Sequence, residues 1–185
     1  METDVVQNVL MFFVLPLWLL SATADYLCHR AAHIEETAGP KETFIHLLGI
    51  AEMGVPVLAA LFLEINALII AVMLVFYVAH EMTVHWDLVY AHSVRDVSPT
   101  EQHVHQYLSM LPFLAVVLIV ILYWGQFLAL FGLGSETARF DLRWKSAPLP
   151  VPYIVTMLVL VVLIDLMPFI EELFRALRAS RDKAR

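Results

Sequence analysis

Only one cysteine, Cys28, occurs in a chain of 185 residues, which excludes an internal disulfide, a CxxC zinc ribbon and a dithiol redox pair. Cationic side chains are scarce too: 11 Lys and Arg stand against 18 Asp and Glu, a formal charge of −7. That balance lacks the dense basic patches a phosphate backbone requires, so nucleic acid is not an expected partner. No flavin, nicotinamide or haem-attachment motif is present, and neither an internal repeat nor a strand-like alternation can be found.

Apolar residues are plentiful. They make up 61% of the chain, and the mean hydropathy is +0.77, outside the range of a domain whose surface must be wetted. Backbone groups in hydrocarbon must be satisfied internally, and the apolar runs are too long for barrel strands. The expected fold class is therefore all-α, a polytopic transmembrane bundle of about five helices in one domain spanning 1–185.

The first span is expected over about 6–36, closed by Gly39 and Pro40. Its opening Met1-Glu2-Thr3-Asp4 lacks the positive stretch of a secretory signal, so the span is expected to be retained. The second follows over about 41–64, with Pro56 as the place for any bend, and the third over 67–92. Ser98-Pro99-Thr100-Glu101 reads as a capped helix start with proline at the first helical position, placing the fourth span at about 99–131. After a polar connection over 135–148, prolines 148, 150 and 152 lead into the fifth, about 150–178.

Basic residues mark cytoplasmic ends. With the C-terminal tail inside, Arg30, Lys41, Arg95, Arg175, Arg178, Arg181, Lys183 and Arg185 share the cytoplasmic side. Arg139, Arg143 and Lys145 fall outside. This distribution favours an external N-terminus.

All eight histidines lie between positions 29 and 105, which antiparallel helices map to one membrane face. Each of the first four spans also pairs an acid with a histidine four residues on: Asp25/His29, Glu42/His46, Glu81/His85 and Glu101/His105. Residues so spaced sit about 40° apart on a helix and share a face. Counted from the helix ends, the four paired histidines fall roughly 9 to 13 Å in, a common layer. Carboxylates and imidazoles at that depth face a bundle interior, pair with one another or bind ions. A donor set without thiolate suits iron, manganese or zinc. The expected metal ligands are Asp25, His29, His33, Glu42, His46, Glu81, His85, Glu101 and His105, four helices contributing, with room for two divalent metals.

Histidine-rich polar ends on apolar helices, here His29-Arg-Ala-Ala-His33 and the clustering of the remaining histidines, resemble the integral-membrane di-iron class of fatty-acid desaturases and alkane or sterol hydroxylases. The adjacent His-His pairs of those families are absent and the chain is shorter, so the resemblance is to the class. It implies an oxygen-activating di-iron enzyme acting on a lipidic substrate.

Other residues have competing explanations. Glu52 is a buried acid some 120° from His46, suited to a proton relay or to orienting a ligand, and His80 is either a ligand or an interhelical hydrogen-bonding partner. Both are carried as catalytic candidates. His103 points roughly 160° from His105 and is set aside. Solvated helix ends explain His92 and Glu36 as well as ligation does. Lys41 and Arg95 fit either an anionic headgroup or the topology signal. Asp165 is an interhelical hydrogen-bonding candidate, and Glu64 reads as a solvated turn residue.

The leading functional expectation is a two-metal, iron-dependent oxidoreductase that hydroxylates or desaturates a lipophilic substrate entering from the bilayer, supplied with electrons by a separate donor. Two alternatives remain open: a zinc-dependent membrane hydrolase of lipid amides or esters, and a non-enzymatic haem protein of electron transfer. A metal transporter fits less well, because little polar material continues toward the other face.

Overall fold

The computed structural model describes residues 2–185, and among them every regular element is helical. Five helices are long and apolar enough to cross a membrane: α1 (Asp4–Ala32), α3 (Pro40–Phe62), α4 (Ala67–Val94), α5 (Pro99–Leu122) and α7 (Val151–Lys183). Two short helices join them, α2 (Ile34–Thr37) and α6 (Trp124–Leu130). The outward surfaces carry apolar side chains such as Val75, Val78, Met82, Phe113 and Leu163, as lipid contact requires.

Local chemistry sets the breaks. α1 ends before the expected Glu36, because His33 takes a left-handed conformation (φ 49°) that terminates the helix and starts α2. Gly39 supplies the positive φ (71°) before Pro40 opens α3. Asn66 caps α4 by accepting from the Ile69 amide, and Ser98 caps α5 by accepting from the Glu101 amide, with Pro99 next. The fourth membrane helix stops at Leu122, and Tyr123 separates it from α6.

The helices close into a ring: α1 packs on α5, α5 on α4, α4 on α3, α3 on α7, and α7 back on α1. α1 and α7 each contain a wide turn, Leu10–Val14 and Val161–Leu166, of the kind that loosens a helix where function needs space. The two ends of the ring differ. Ala59, Ile65, Ile69, Ile70 and Met73 form an apolar core toward the α3–α4 turn. The other end holds buried Asp25, His29, Glu42, Asp87, Glu101, His105 and Glu172.

Candidate metal centre

The centre grows from three helical stripes. Asp25 and His29 are one turn apart on α1, and both are 0% exposed. α3 brings Glu42 and His46 alongside, and α5 brings Glu101 and His105. Around Asp25 the histidine nitrogens converge: His105 Nε2 lies 2.9 Å from Oδ1, with His46 Nε2 at 3.2 Å and His29 Nε2 at 3.6 Å from Oδ2. Ligand atoms of Asp25, His29, His46 and His105 all fall within 4.8 Å of one another. Donors about 2.0–2.1 Å from a tetrahedral ion stand roughly 3.3–3.4 Å apart, so this spacing fits a first-row divalent cation.

The other ring nitrogens orient the donors. His46 Nδ1 donates to the Glu42 carbonyl oxygen (3.0 Å), so a neutral ring carries its lone pair on Nε2, the nitrogen beside Asp25. His29 Nδ1 faces the Glu172 carboxylate at 3.2 Å, and Thr43 Oγ1 donates to the same carboxylate at 2.9 Å. A carboxylate behind a histidine fixes the tautomer and raises the basicity of the far nitrogen. Phe169 stacks on the His46 ring, 5.4 Å between centroids and 7° from parallel, and walls the cluster from α7.

Hydrogen-bond accounting leaves a deficit here. Both Asp25 oxygens, His29 Nε2 and both His105 nitrogens are buried without a hydrogen bond of normal geometry. Leaving such groups unsatisfied costs about 1–3 kcal/mol each, more when charged. A cation at the focus of Asp25, His29 Nε2 and His105 Nε2 would offset all of it but the share of His105 Nδ1. Buried histidine, aspartate and glutamate groups that can hold a metal ion are thus present.

A second group, His29, Glu42 and Glu101, shares His29 with the first. Its two carboxylates are already bridged by a cation of the chain itself. Arg95, its side chain 3% exposed, donates from Nε to Glu42 (3.2 Å) and from Nη1 to Glu101 (3.0 Å), while Nη2 reaches both. Burial disfavours the charged guanidinium, but the hydrogen bonds to Glu101 and Glu42 outweigh it and hold its pKa above the usual arginine value. Arg95 was open to a headgroup or topology role in the sequence; it is a buried clamp tying the α4–α5 connection to α3.

The remaining expected ligands lie elsewhere. His33 sits at the α1–α2 break with its side chain 72% exposed, near Glu35. His85 is exposed on the outer face of α4, and Glu81 accepts from Ser109 Oγ at 2.8 and 2.9 Å. The inward stripe of α4 is instead His80, Thr83, Asp87 and Ala91, all buried. Asp87 and Glu172 were not anticipated. Asp87 Oδ2 is 3.6 Å from His46 Nε2, and Glu172 makes α7 a fifth contributor to the cluster. The usable signal for Asp87 was its place in a stripe ending at Ala91. For Glu172 it was its place in a stripe with Phe169 and Ala176, set apart from the neighbouring Glu171.

Beside the ligands lies an apolar cavity of about 460 Å³, walled by Trp18, Leu19, Met53, Val57, Met157 and Val161. Asp25, His46, Asp87 and His105 form its polar end. His80 and Thr83 are further along its wall, and Glu52 stands beside them: it accepts from Thr83 Oγ1 at 3.0 Å and comes within 4.0 Å of His80 Nδ1. No known family, curated protein or solved structure matches the chain.

Proposed function

We propose that the protein is a membrane-embedded metalloenzyme in which His29, His46, His105 and Asp25 hold one divalent ion and the adjoining cavity admits a lipophilic substrate from the bilayer. The observation that carries this reading is the pairing of orphaned donors with oriented ones. His29 Nε2, His105 Nε2 and both oxygens of Asp25 lack hydrogen bonds and converge with His46 Nε2, while Nδ1 of His29 and of His46 is already engaged.

One ion, and hydrolysis of a lipid ester or amide, is the reading these contacts favour. With His33, Glu81 and His85 away from the cluster, and Arg95 neutralising Glu42 and Glu101, the surplus of ligands that suggested two metals shrinks to a set suited to one. Three imidazoles and a carboxylate are a donor set zinc accepts. To act on an acyl bond the ion would take a water as an additional ligand, or in place of one of the four, and would lower that water's pKa and polarise the carbonyl. Asp87 borders the cavity with one oxygen unpartnered, placed to take a proton from water, while Phe169 and the apolar walls exclude bulk solvent. Water would add across the acyl bond, giving a fatty acid and an alcohol or amine.

A second reading, the two-ion oxygen-activating oxidoreductase, is favoured by one feature, the sharing of His29 between both ligand groups. It requires Arg95 to leave Glu42 and Glu101, and it requires a separate electron donor. Elemental analysis separates the two: one zinc per chain supports hydrolysis, and two irons per chain support oxidation. The basic residues near the cluster, Arg30, Lys41 and Arg175 among them, support a reading with the metal end at the cytoplasmic face and the N-terminus outside.

A further inference from the structure

The cavity has a second polar station that the metal ligands do not use. On α3, Glu52 follows His46 by six residues, and on α4, His80 precedes Asp87 by seven, so both lie roughly 9–10 Å from the metal end, deeper in the membrane. His80 is 7% exposed, borders the cavity and belongs to neither ligand group. The Gly49 and Leu108 backbones lie near it, yet neither ring nitrogen completes a hydrogen bond, and one Glu52 oxygen is likewise unpartnered. Thr83 holds the other Glu52 oxygen and thereby fixes the carboxylate. Across from the ring, Gly49 has no side chain; a Cβ there would touch the imidazole at 3.5 Å, so glycine leaves it uncovered.

An imidazole in the cavity wall without a hydrogen bond, with an unpartnered carboxylate oxygen beside it, is a poor feature for a plain alkyl channel. A polar guest in the cavity would offset the desolvation cost that these groups carry. Neutral imidazole offers one donor and one acceptor, and Glu52 accepts, a combination that suits a hydroxyl group.

We infer that His80, Glu52 and Thr83 form a specificity subsite for a hydroxyl on the substrate chain, about two helical turns from the group that meets the metal. The substrate class is then a hydroxylated lipid whose polar positions are roughly 9–10 Å apart, about eight bonds of extended alkyl chain. A simple hydrocarbon chain fills the same cavity but leaves the station unsatisfied. The inference rests on the metal reading, since the ion anchors the other end.

Two probes test it: a saturated alkyl hydroxamate, whose head chelates the ion, and the same molecule with one hydroxyl about eight bonds from the head. Their affinities are measured by calorimetry on the metal-loaded protein in lipid nanodiscs. The hydroxylated probe should bind about tenfold more tightly to the wild type, the worth of one net hydrogen bond. His80→Phe and, separately, Glu52→Gln should erase most of that preference while leaving metal content and the plain probe's affinity within twofold. Equal binding of both probes by the wild type overturns the subsite, as does a preference that survives both substitutions. Failure of both probes to bind metal-loaded protein overturns it as well. Protein that takes up no metal at all defeats the metal reading itself, and the subsite falls with it.

Discussion

The two ends of the bundle use buried polar groups in opposite ways. At the α3–α4 turn the accounting nearly closes: Asp141 Oδ2 lacks a hydrogen bond but pairs with Arg143. Gln126 accepts from the Ala67 and Arg139 amides and donates to Glu136 and to the Thr137 carbonyl, and Asn66 caps α4 while donating to Asp141. Glu64 accepts from the Ser146 amide and hydroxyl, and those bonds hold its pKa below the usual glutamate value. At the His29 end the accounting stays open: Asp25, His29 and His105 are buried, mutually close and incompletely bonded. Closed networks stabilise a fold, and open ones of this composition fit a cation.

The largest effect that would break this contrast is loss of the ion. His46→Ala should abolish metal retention, measured by elemental analysis after gentle purification, with the helical circular dichroism unchanged. Arg95→Met comes next, since it leaves Glu42 and Glu101 buried without their cation. It should cost about 3–5 kcal/mol in stability, read as a lowered unfolding midpoint, unless a second metal ion takes the guanidinium's place. That rescue by added metal would itself favour the two-ion reading.

Smaller changes sharpen the comparison. Glu172→Ala removes the carboxylate behind His29 and should weaken metal affinity about 10–100-fold in a chelator competition, without abolishing binding. Gln126→Ala, at the closed end, should cost about 1–3 kcal/mol in stability and leave metal content untouched. Smallest of all, His85→Ala should shift stability by no more than about 0.5 kcal/mol and retain the full metal complement.

Helix number and type were legible in the sequence because twenty-residue apolar runs admit few alternatives in a bilayer. The gathering of Asp25, His29, Glu42, His46, Glu101 and His105 was legible for a similar reason: antiparallel order brings those helix ends together, and spacing of four keeps each pair on one face. The same spacing misled on α4, because an acid and a histidine four apart share a face whether it points inward or toward lipid. What decides is the company the pair keeps. Glu81 and His85 run with exposed Met82, Trp86 and Val89, whereas His80, Thr83 and Asp87 run with buried Ala91. His33 was misplaced for a local reason, since a continuous helix to Glu36 assumes away the left-handed residue that ends it. Glu172 and Arg95 were out of reach because their roles depend on where α7 and the α4–α5 connection pack, which pairwise spacing does not encode.

The central claim is tested most directly by counting metal ions per chain in gently purified wild-type protein alongside His46→Ala and His85→Ala. One ion in the wild type and in His85→Ala, with none in His46→Ala, is the result expected. A folded wild type free of metal, or equal metal in all three proteins, would contradict it.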